Sequence, residues 1–491
     1  MKPAPRVLLI DLNNFASYPT LAIGILVASL RKEGMEVEVL CPLSHDVPAE
    51  LREKVEGWRD HFKRRVFFGT HPAYDWARLR VRKMRSWWIA RPHPRVLSEF
   101  DEALKRKPDI VLLSAYLNHH PSCVEIGKRA KAAGIPVLLG GPAFNIPEIT
   151  KEWLEVPGIT AIIGAETDFS LPQMVRDTLT GSDLLHHEGV TRPDGSCSES
   201  SAPLDRLSET PIPDFTDFPW SKYRERVIPM MATRGCQWAK CTFCSDVQMA
   251  NGRTFRTRSI DSLLAEMEHL VEQHATKNFI LLDIKLNSDV HLWRALVEQL
   301  QDRIPGARWV GTVHVDLRKD NGLTAEELRA AKASGMMRIN FGLETASRRL
   351  LQAMRKGTDP DRSSQFIHDA HAAGLSVRTT IMQGYPGETA ADLHETVDYL
   401  DQHDGKLDRI RISQFKALPA TAFHRDFEEN PQHYAELADF EWDFRDSRAA
   451  YRYTKASARD YRKAKLRLLR KVYEVNRRPL RDGAEAFDGL M

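Results

Sequence analysis

Arg234-Gly235-Cys236-Gln237-Trp238-Ala239-Lys240-Cys241-Thr242-Phe243-Cys244 sets three cysteines at x4 and x2 spacing. It follows an apolar run, Val227-Ile228-Pro229-Met230-Met231-Ala232, that predicts a strand end. A structural zinc site takes four nitrogen or sulfur ligands. No fourth Cys or His follows within a few residues, so a zinc ribbon would have to borrow a distant ligand such as His269 or His274. An iron–sulfur cluster held by three thiolates instead keeps one iron open to a ligand that is not protein. The count of three favours the cluster.

The rest of the composition fits a chain of several domains. At 491 residues the chain holds two or three domains with ample core. Its 70 Lys and Arg against 67 Asp and Glu leave +3, which argues for neither a nucleic-acid nor a membrane partner. Cys41, Cys123 and Cys197 are scattered, so the six cysteines form no disulfide framework and imply a reducing compartment. Leu21 to Leu30 has about half the length of a membrane span, and Met1 to Arg6 leads into a strand without a signal-type apolar region. The expectation is a cytoplasmic protein with no membrane span.

Outward from the cysteines, the fold class is α/β. Toward the N-terminus, Arg6–Asp11, Val37–Leu40, Asp109–Ser114, Pro136–Gly141 and Ala161–Glu166 read as strands, with helices over Ala22–Arg31 and Val124–Ala133. This rhythm predicts a doubly wound, flavodoxin- or Rossmann-like parallel sheet over 1–200, with ligands at the C-terminal strand ends. An insertion at 42–108 is rich in Arg, Lys and Trp and reads as solvated helices over Leu51–Arg65 and Ala77–Ile89. Residues 201–225 form a proline-marked linker. Beyond the cysteines, a helix over Ser259–His274 and strands at Phe279–Asp283, Ala307–Val315, Arg338–Glu344, Ser376–Met382 and Arg409–Phe415 predict a partial (β/α)6 barrel over 226–425. A basic, helical C-terminal extension fills 426–491, with Tyr451 to Arg481 as its helix.

The cysteine loop, through Gly235-Cys236 and Lys240-Cys241-Thr242-Phe243-Cys244, resembles that of the radical S-adenosylmethionine (SAM) enzymes. The commonest spacing there is x3 then x2, so the extra residue between Cys236 and Cys241 is a departure that a loop can absorb. The resemblance implies that Cys236, Cys241 and Cys244 hold a 4Fe–4S cluster, that SAM occupies the open iron, and that a flavodoxin or ferredoxin supplies the electron. Three further segments carry it: Phe243, matching the residue beside the adenine; Phe341-Gly342-Leu343-Glu344, whose acid would meet the ribose; and Gln383-Gly384-Tyr385-Pro386-Gly387-Glu388-Thr389, whose glycines would admit the ligand. Asp283, an acidic strand end, and Asn287 are placed toward SAM or substrate, or as a cap for a helix starting at Ser288. Leu418-Pro419-Ala420-Thr421 lacks the family's usual glycine, which puts its backbone conformation in doubt.

The N-terminal pattern resembles the cobalamin-binding domain that precedes many radical SAM domains. On that likeness Ser114, Tyr116, Gly140, Gly141, Pro142 and Glu166 would line the cofactor's tail, with the glycines admitting it because a Cβ would block the approach. The family's Asp-x-His-x-x-Gly loop reads here Asp11-Leu12-Asn13-Asn14-Phe15-Ala16. Asn13 and Asn14 would then face the cobalt side, and cobalamin would bind without a histidine below the metal. The implied activity is C-methylation of an unactivated carbon in a natural-product, peptide or lipid substrate, through a 5′-deoxyadenosyl radical and methylcobalamin. A non-methylating radical reaction (cyclisation, ring contraction or rearrangement) and a non-catalytic cobalamin or redox sensor are the alternatives.

Overall fold

The computed structural model describes residues 3–12, 17–47 and 54–490. Its first sheet contains β1 (Arg6–Asp11), β2 (Glu36–Leu40), β3 (Ile110–Ser114), β4 (Val137–Gly140), β5 (Ile159–Ile163) and β6 (Val190–Thr191) in the order β2-β1-β3-β4-β5-β6. The first five strands are parallel and β6 runs antiparallel to β5, a departure from the all-parallel expectation. Helices α1 (Leu21–Lys32) to α7 (Leu171–Thr180) connect and cover the strands. Between them lie α2 (Trp58–Phe68), α3 (Pro72–Ala90), α4 (Pro94–Lys105), α5 (His120–Ala132) and α6 (Pro147–Trp153).

The period of two along β1 explains why the run is continuously apolar. Val7 and Leu9 share a core with α1 and α7, while Leu8 and Ile10 share one with α4, α5 and α6. Both faces are covered, as a parallel sheet requires. Register aligns Asp11 with Ser114, Ser114 with Gly140, and Gly140 with Ile163, so the C-terminal strand ends form one edge. The α4 helix belongs to this domain, because it buries Val96, Phe100 and Ala103 in the α5 side of the core. The insertion therefore ends before Pro94 and not at 108.

The linker is a packed strap. Phe215 is fully buried, and a Cβ on Gly24 of α1 would overlap its ring. Trp220 stacks on His274 with ring centroids 4.5 Å apart.

The second sheet is fully parallel and follows chain order. It comprises β7 (Ile228–Met230), then, past the two-residue ladder of β8 (Thr233–Arg234) and β9 (Arg256–Thr257), β10 (Asn278–Leu281), β11 (Arg308–Val313), β12 (Met336–Glu344), β13 (Ser376–Gln383) and β14 (Arg409–Gln414). Helices α8 (Ile260–His274), α9 (Val290–Arg303), α10 (Ala325–Ala333), α11 (Arg348–Ala353), α12 (Pro360–Ala372) and α13 (Ala390–Gln402) return the chain between strands. Side-chain caps start several of them: Ser259 accepts from Ser262 N, Thr324 and Thr389 form capping boxes with Glu327 and Asp392, and Asp289, neither Asp283 nor Asn287, caps α9. The result is an open barrel of six strands.

The C-terminal extension is only partly helical. After α14 (Ala422–Glu429), β15 (Leu437–Asp443) and β16 (Arg448–Tyr453) form an antiparallel hairpin, and the helix α15 (Arg459–Asn476) starts eight residues later than expected. Aromatic pairing explains the hairpin, with Phe440 stacked on Phe427 at 3.9 Å and on Tyr451 at 5.8 Å. α15 buries Tyr461, Leu468, Val472 and Val475. Among the described residues no helix is long and apolar enough to cross a membrane.

Candidate functional site

The cysteine loop leaves the C-terminal end of β7 and is fixed by contacts from three directions. Gly235 has φ +87, and a Cβ there would overlap the Thr254 carbonyl. Ala239 takes up the extra residue of the x4 gap in a left-handed kink, φ +44. Trp238 packs on Gly357 and donates Nε1 to the Arg355 carbonyl at 2.8 Å. Thr242 donates its backbone N–H to Met354 O at 3.0 Å, and its hydroxyl pairs with Tyr385 Oη at 2.8 Å. Phe423 N donates to Thr242 O at 2.9 Å.

Burial pushes the thiols of Cys241 and Cys244 up, Cys244 to about 12 with Asp246 and Cys241 adding to the effect. A metal bound by these sulfurs would have to displace their protons. The distant zinc ligands do not meet them. His274 ends α8, at the N-terminal edge of the barrel strands, against Trp220, and His269 is exposed on the same helix.

Around this loop the barrel's C-terminal edge collects unpaired polar atoms. Glu344, the last residue of β12, has φ +62, beside a register shift against β13. Its Oε1 accepts from Lys356 Nζ at 3.2 Å and Thr380 Oγ1 at 3.1 Å, while Oε2 makes no hydrogen bond. Gly342 makes room for this pair, since its Cβ would collide with both charged groups. Lys356 lies 5.6 Å from the Phe243 ring centroid. Burial acts to lower its pKa, but Glu344, Cys241 and Cys244 outweigh it, and the ammonium stays charged. Gln383 is fully buried with neither amide atom hydrogen-bonded. The next residue, Gly384 (φ +74), donates its N–H to Glu388 at 2.7 Å. His314, at the end of β11, is buried with Nε2 unpaired and held neutral by burial and by nearby Lys356 and Lys285. An orphaned Gln383 amide, an unpaired His314 nitrogen and the Lys356–Glu344 pair beside three thiols fit a polar, charged ligand at this edge.

Two expected site residues face the protein instead. Asp283 accepts from Ala232 N at 3.1 Å and from both Thr233 N and Thr233 Oγ1 at 2.6 Å, so its carboxylate pins the strand that leads into the cysteines. Asn287 exchanges hydrogen bonds with His314 N and O and donates to Asn321 O. Ala420 keeps the left-handed backbone, φ +60, where the family's glycine is missing. Lys356 and His314 gave no signal in the sequence, because each reaches the site only through barrel closure.

A second site adjoins the first. A cavity of about 610 Å³ opens at the C-terminal edge of the first sheet. Ser114, Tyr116, Gly140, Gly141, Pro142 and Glu166 all line it, and Met231, Thr233, Arg234 and Asp246 close it from the barrel side. The two glycines differ. A Cβ on Gly140 would point into open space, 3.8 Å from Ile163 O, whereas one on Gly141 would overlap the Ala115 carbonyl. Only Gly140 keeps space that the fold itself does not need, and such a cradle fits a bulky tail. Glu166 is tied into the domain junction: it accepts from Leu204 N at 2.6 Å and pairs with Arg234 at 3.1 Å and with Arg256. Arg234 also grips Asp168. Asp246, two residues past Cys244, lines the cavity. Asn13 and Asn14 lie outside the described residues.

Residues 230–400 match the model of the radical SAM superfamily. Over 323 residues the chain is 26% identical to an uncharacterized methyltransferase of Pyrococcus horikoshii, covering 63% of this chain and 66% of that protein. It is also 26% identical over 353 residues to the anaerobic magnesium-protoporphyrin IX monomethyl ester cyclase of Rubrivivax gelatinosus, covering 68% and 60%. The alignments thus span about two thirds or less of these relatives. Among solved structures, the radical SAM methyltransferase TsrM from Kitasatospora setae, with cobalamin and a [4Fe-4S] cluster bound, superposes with a TM-score of 0.61 at 19% identity. That likeness covers 87% of this chain and 78% of TsrM, and it is a likeness of fold across both sheets.

Proposed function

We propose, from the match of residues 230–400 to the radical SAM superfamily, that the chain is a cobalamin-dependent C-methyltransferase acting on an unactivated carbon of a natural-product, peptide or lipid substrate. One observation carries the reading: the cavity at the first sheet's strand ends is closed by residues flanking the cysteine loop, Arg234 and Asp246. A group held there would lie next to a ligand bound at the cysteine loop.

The residues divide the work. Cys236, Cys241 and Cys244 would hold the cluster, and Phe243, Glu344, Gln383 and Gly384 the SAM, with Lys356 as a cation in reach of its carboxylate. Ser114, Tyr116, Gly140 and Pro142 would take cobalamin at the cavity wall, and Asn13 leaves it without a histidine ligand. When bound, the cluster and SAM supply a 5′-deoxyadenosyl radical that removes hydrogen from carbon, and cobalamin supplies the methyl group. The protein's own part is to hold Glu344 as an acceptor beside Lys356, to exclude water with Phe243 and His314, and to fix the two domains through Arg234.

The match to a cyclase at the same identity supports a second reading, a radical reaction without methyl transfer. Anaerobic incubation of the cobalamin-loaded, reconstituted protein with trideuteromethyl-SAM and reductant separates them. Methyl transfer predicts both 5′-deoxyadenosine and S-adenosylhomocysteine, with a trideuteromethyl mass gain in any product. Deoxyadenosine without S-adenosylhomocysteine would leave the cyclase-type reading, and protein that retains no cobalamin would remove the proposal.

A further inference from the structure

The insertion helices carry a surface that the rest of the molecule does not explain. Among the described residues, eleven of the sixteen exposed large hydrophobic side chains fall between Val55 and Trp88. They therefore form a patch and not a scatter. On α2, Trp58, Phe62 and Val66 follow one another at intervals of four. On α3, Tyr74, Val81, Met84 and Trp88 recur at helical spacing, with Trp76 and Trp87 beside them, and each of the six is more than half exposed. The side of α3 turned to the molecule carries Arg78 and Arg82, both half-buried, with Arg82 over the Phe67 ring at 4.6 Å. The helix is thus mounted with its apolar face outward.

The same segment is strongly basic. Residues 54–91 hold eleven Lys and Arg against three Asp and Glu, a local +8 in a chain whose total is +3. Several of these cations sit on the exposed aromatics: Arg80 over Trp76 at 4.0 Å, and Arg91 near both Trp87 and Trp88 at 5.0 and 4.9 Å.

We propose that α2 and α3 dock this enzyme on an anionic lipid bilayer, with the Trp and Met side chains of α3 entering the headgroup boundary and the flanking Lys and Arg meeting lipid phosphates. Amphipathic helices with Trp on the apolar face and cations at its margin bind in this way. Charge complementarity selects the occupant. A second copy seated on the patch by a two-fold axis would set +8 against +8. Nucleic acid would leave Leu79, Val81 and Met84 without a partner, since it offers base faces and phosphates but no hydrocarbon. No helix among the described residues is able to span, so the attachment is peripheral.

Sedimentation of the full-length, cluster-loaded protein with vesicles tests this. Binding is expected to vesicles of phosphatidylcholine mixed with phosphatidylglycerol and not to phosphatidylcholine alone, weakening as salt rises. The triple variants W76S/M84S/W88S and K63E/R80E/K83E should each lower partition about tenfold or more. Both should keep wild-type cluster absorbance and substrate-independent deoxyadenosine formation, which shows that they fold. Absence of partition onto the anionic vesicles, or equal partition by the apolar-face variant, would overturn the proposal. So would a concentration-dependent dimer that the same variant abolishes.

Discussion

A lysine cut off from water keeps its proton only where anions compensate the lost hydration, and Lys356 has Glu344 at 3.2 Å with the Cys241 and Cys244 sulfurs nearby. The pair is therefore coupled, and single substitutions will mislead. Glu344→Gln should weaken SAM binding, since neutral hydrogen bonds replace charge-assisted ones, by about 1–3 kcal/mol. It should also destabilise the fold, because it strands a buried ammonium. Adding Lys356→Met is expected to recover most of the stability and none of the SAM affinity. Denaturation midpoints and equilibrium dialysis with SAM measure the two separately. Recovery of both together would place the ribose contact elsewhere. The glycine pair makes a matching contrast. Gly140→Val should yield a folded protein that takes up no cobalamin, whereas Gly141→Ala should lose stability with or without the cofactor, because the added methyl meets the Ala115 carbonyl. Thermal melts with cobalamin titration read both, and a folded Gly140→Val that still takes up cobalamin at wild-type levels would refute the steric argument.

At the scale of elements, the segment after β13 turns a ligand-side loop into part of the core. Glu388 is buried where it accepts from Gly384 N and Tyr461 Oη, with Lys465 of α15 and Asp392 of α13 near it. Burial raises its pKa from 4.5 to about 7. Between those values the folded protein keeps a proton that the unfolded chain has released. Stability should then fall as pH climbs from about 4.5 through about 7, by on the order of 3 kcal/mol. Glu388→Gln should flatten that slope in midpoints measured from pH 5 to 7, and a slope identical to wild type would acquit Glu388. Elements of this kind differ in how far the sequence disclosed them. β1 was legible to the residue, because both of its faces are buried and polar residues bound the run. The β15–β16 hairpin was not. Its aromatics are interleaved with charges, and the helical spacing of Leu468 and Val472 invited extension back to Tyr451, across an α15 start that no side chain caps. Asp283 sat where an acid at a strand end serves either a ligand or a neighbouring backbone. Only the position of Ala232 and Thr233 on the adjoining strand decides between them, and that is a fact of sheet assembly.

For the whole molecule the domain junction runs through Arg234, which touches Glu166 and Asp168 of the first sheet's domain just before the cysteine loop begins. Arg234→Met should cost about 3–5 kcal/mol by leaving buried carboxylates underpaired. It should also speed hydrogen exchange in residues 201–225 and at the cavity edge. If stability drops while exchange there is unchanged, the junction is a local brace and does not couple the domains. The packing of α2 on α15 has a consequence in time. Glu56 N donates to Asn476 O, Asn476 donates back to the Glu56 carboxylate at 2.8 Å, and His61 stacks on Tyr473 at 4.7 Å. The support for this segment is thus made 420 residues after it, roughly 20–80 s later at ordinary elongation rates. Throughout that interval a basic helix pair rich in tryptophan emerges with nothing to rest on, so the nascent chain is the form most exposed to chaperones, to aggregation and to any surface willing to hold it.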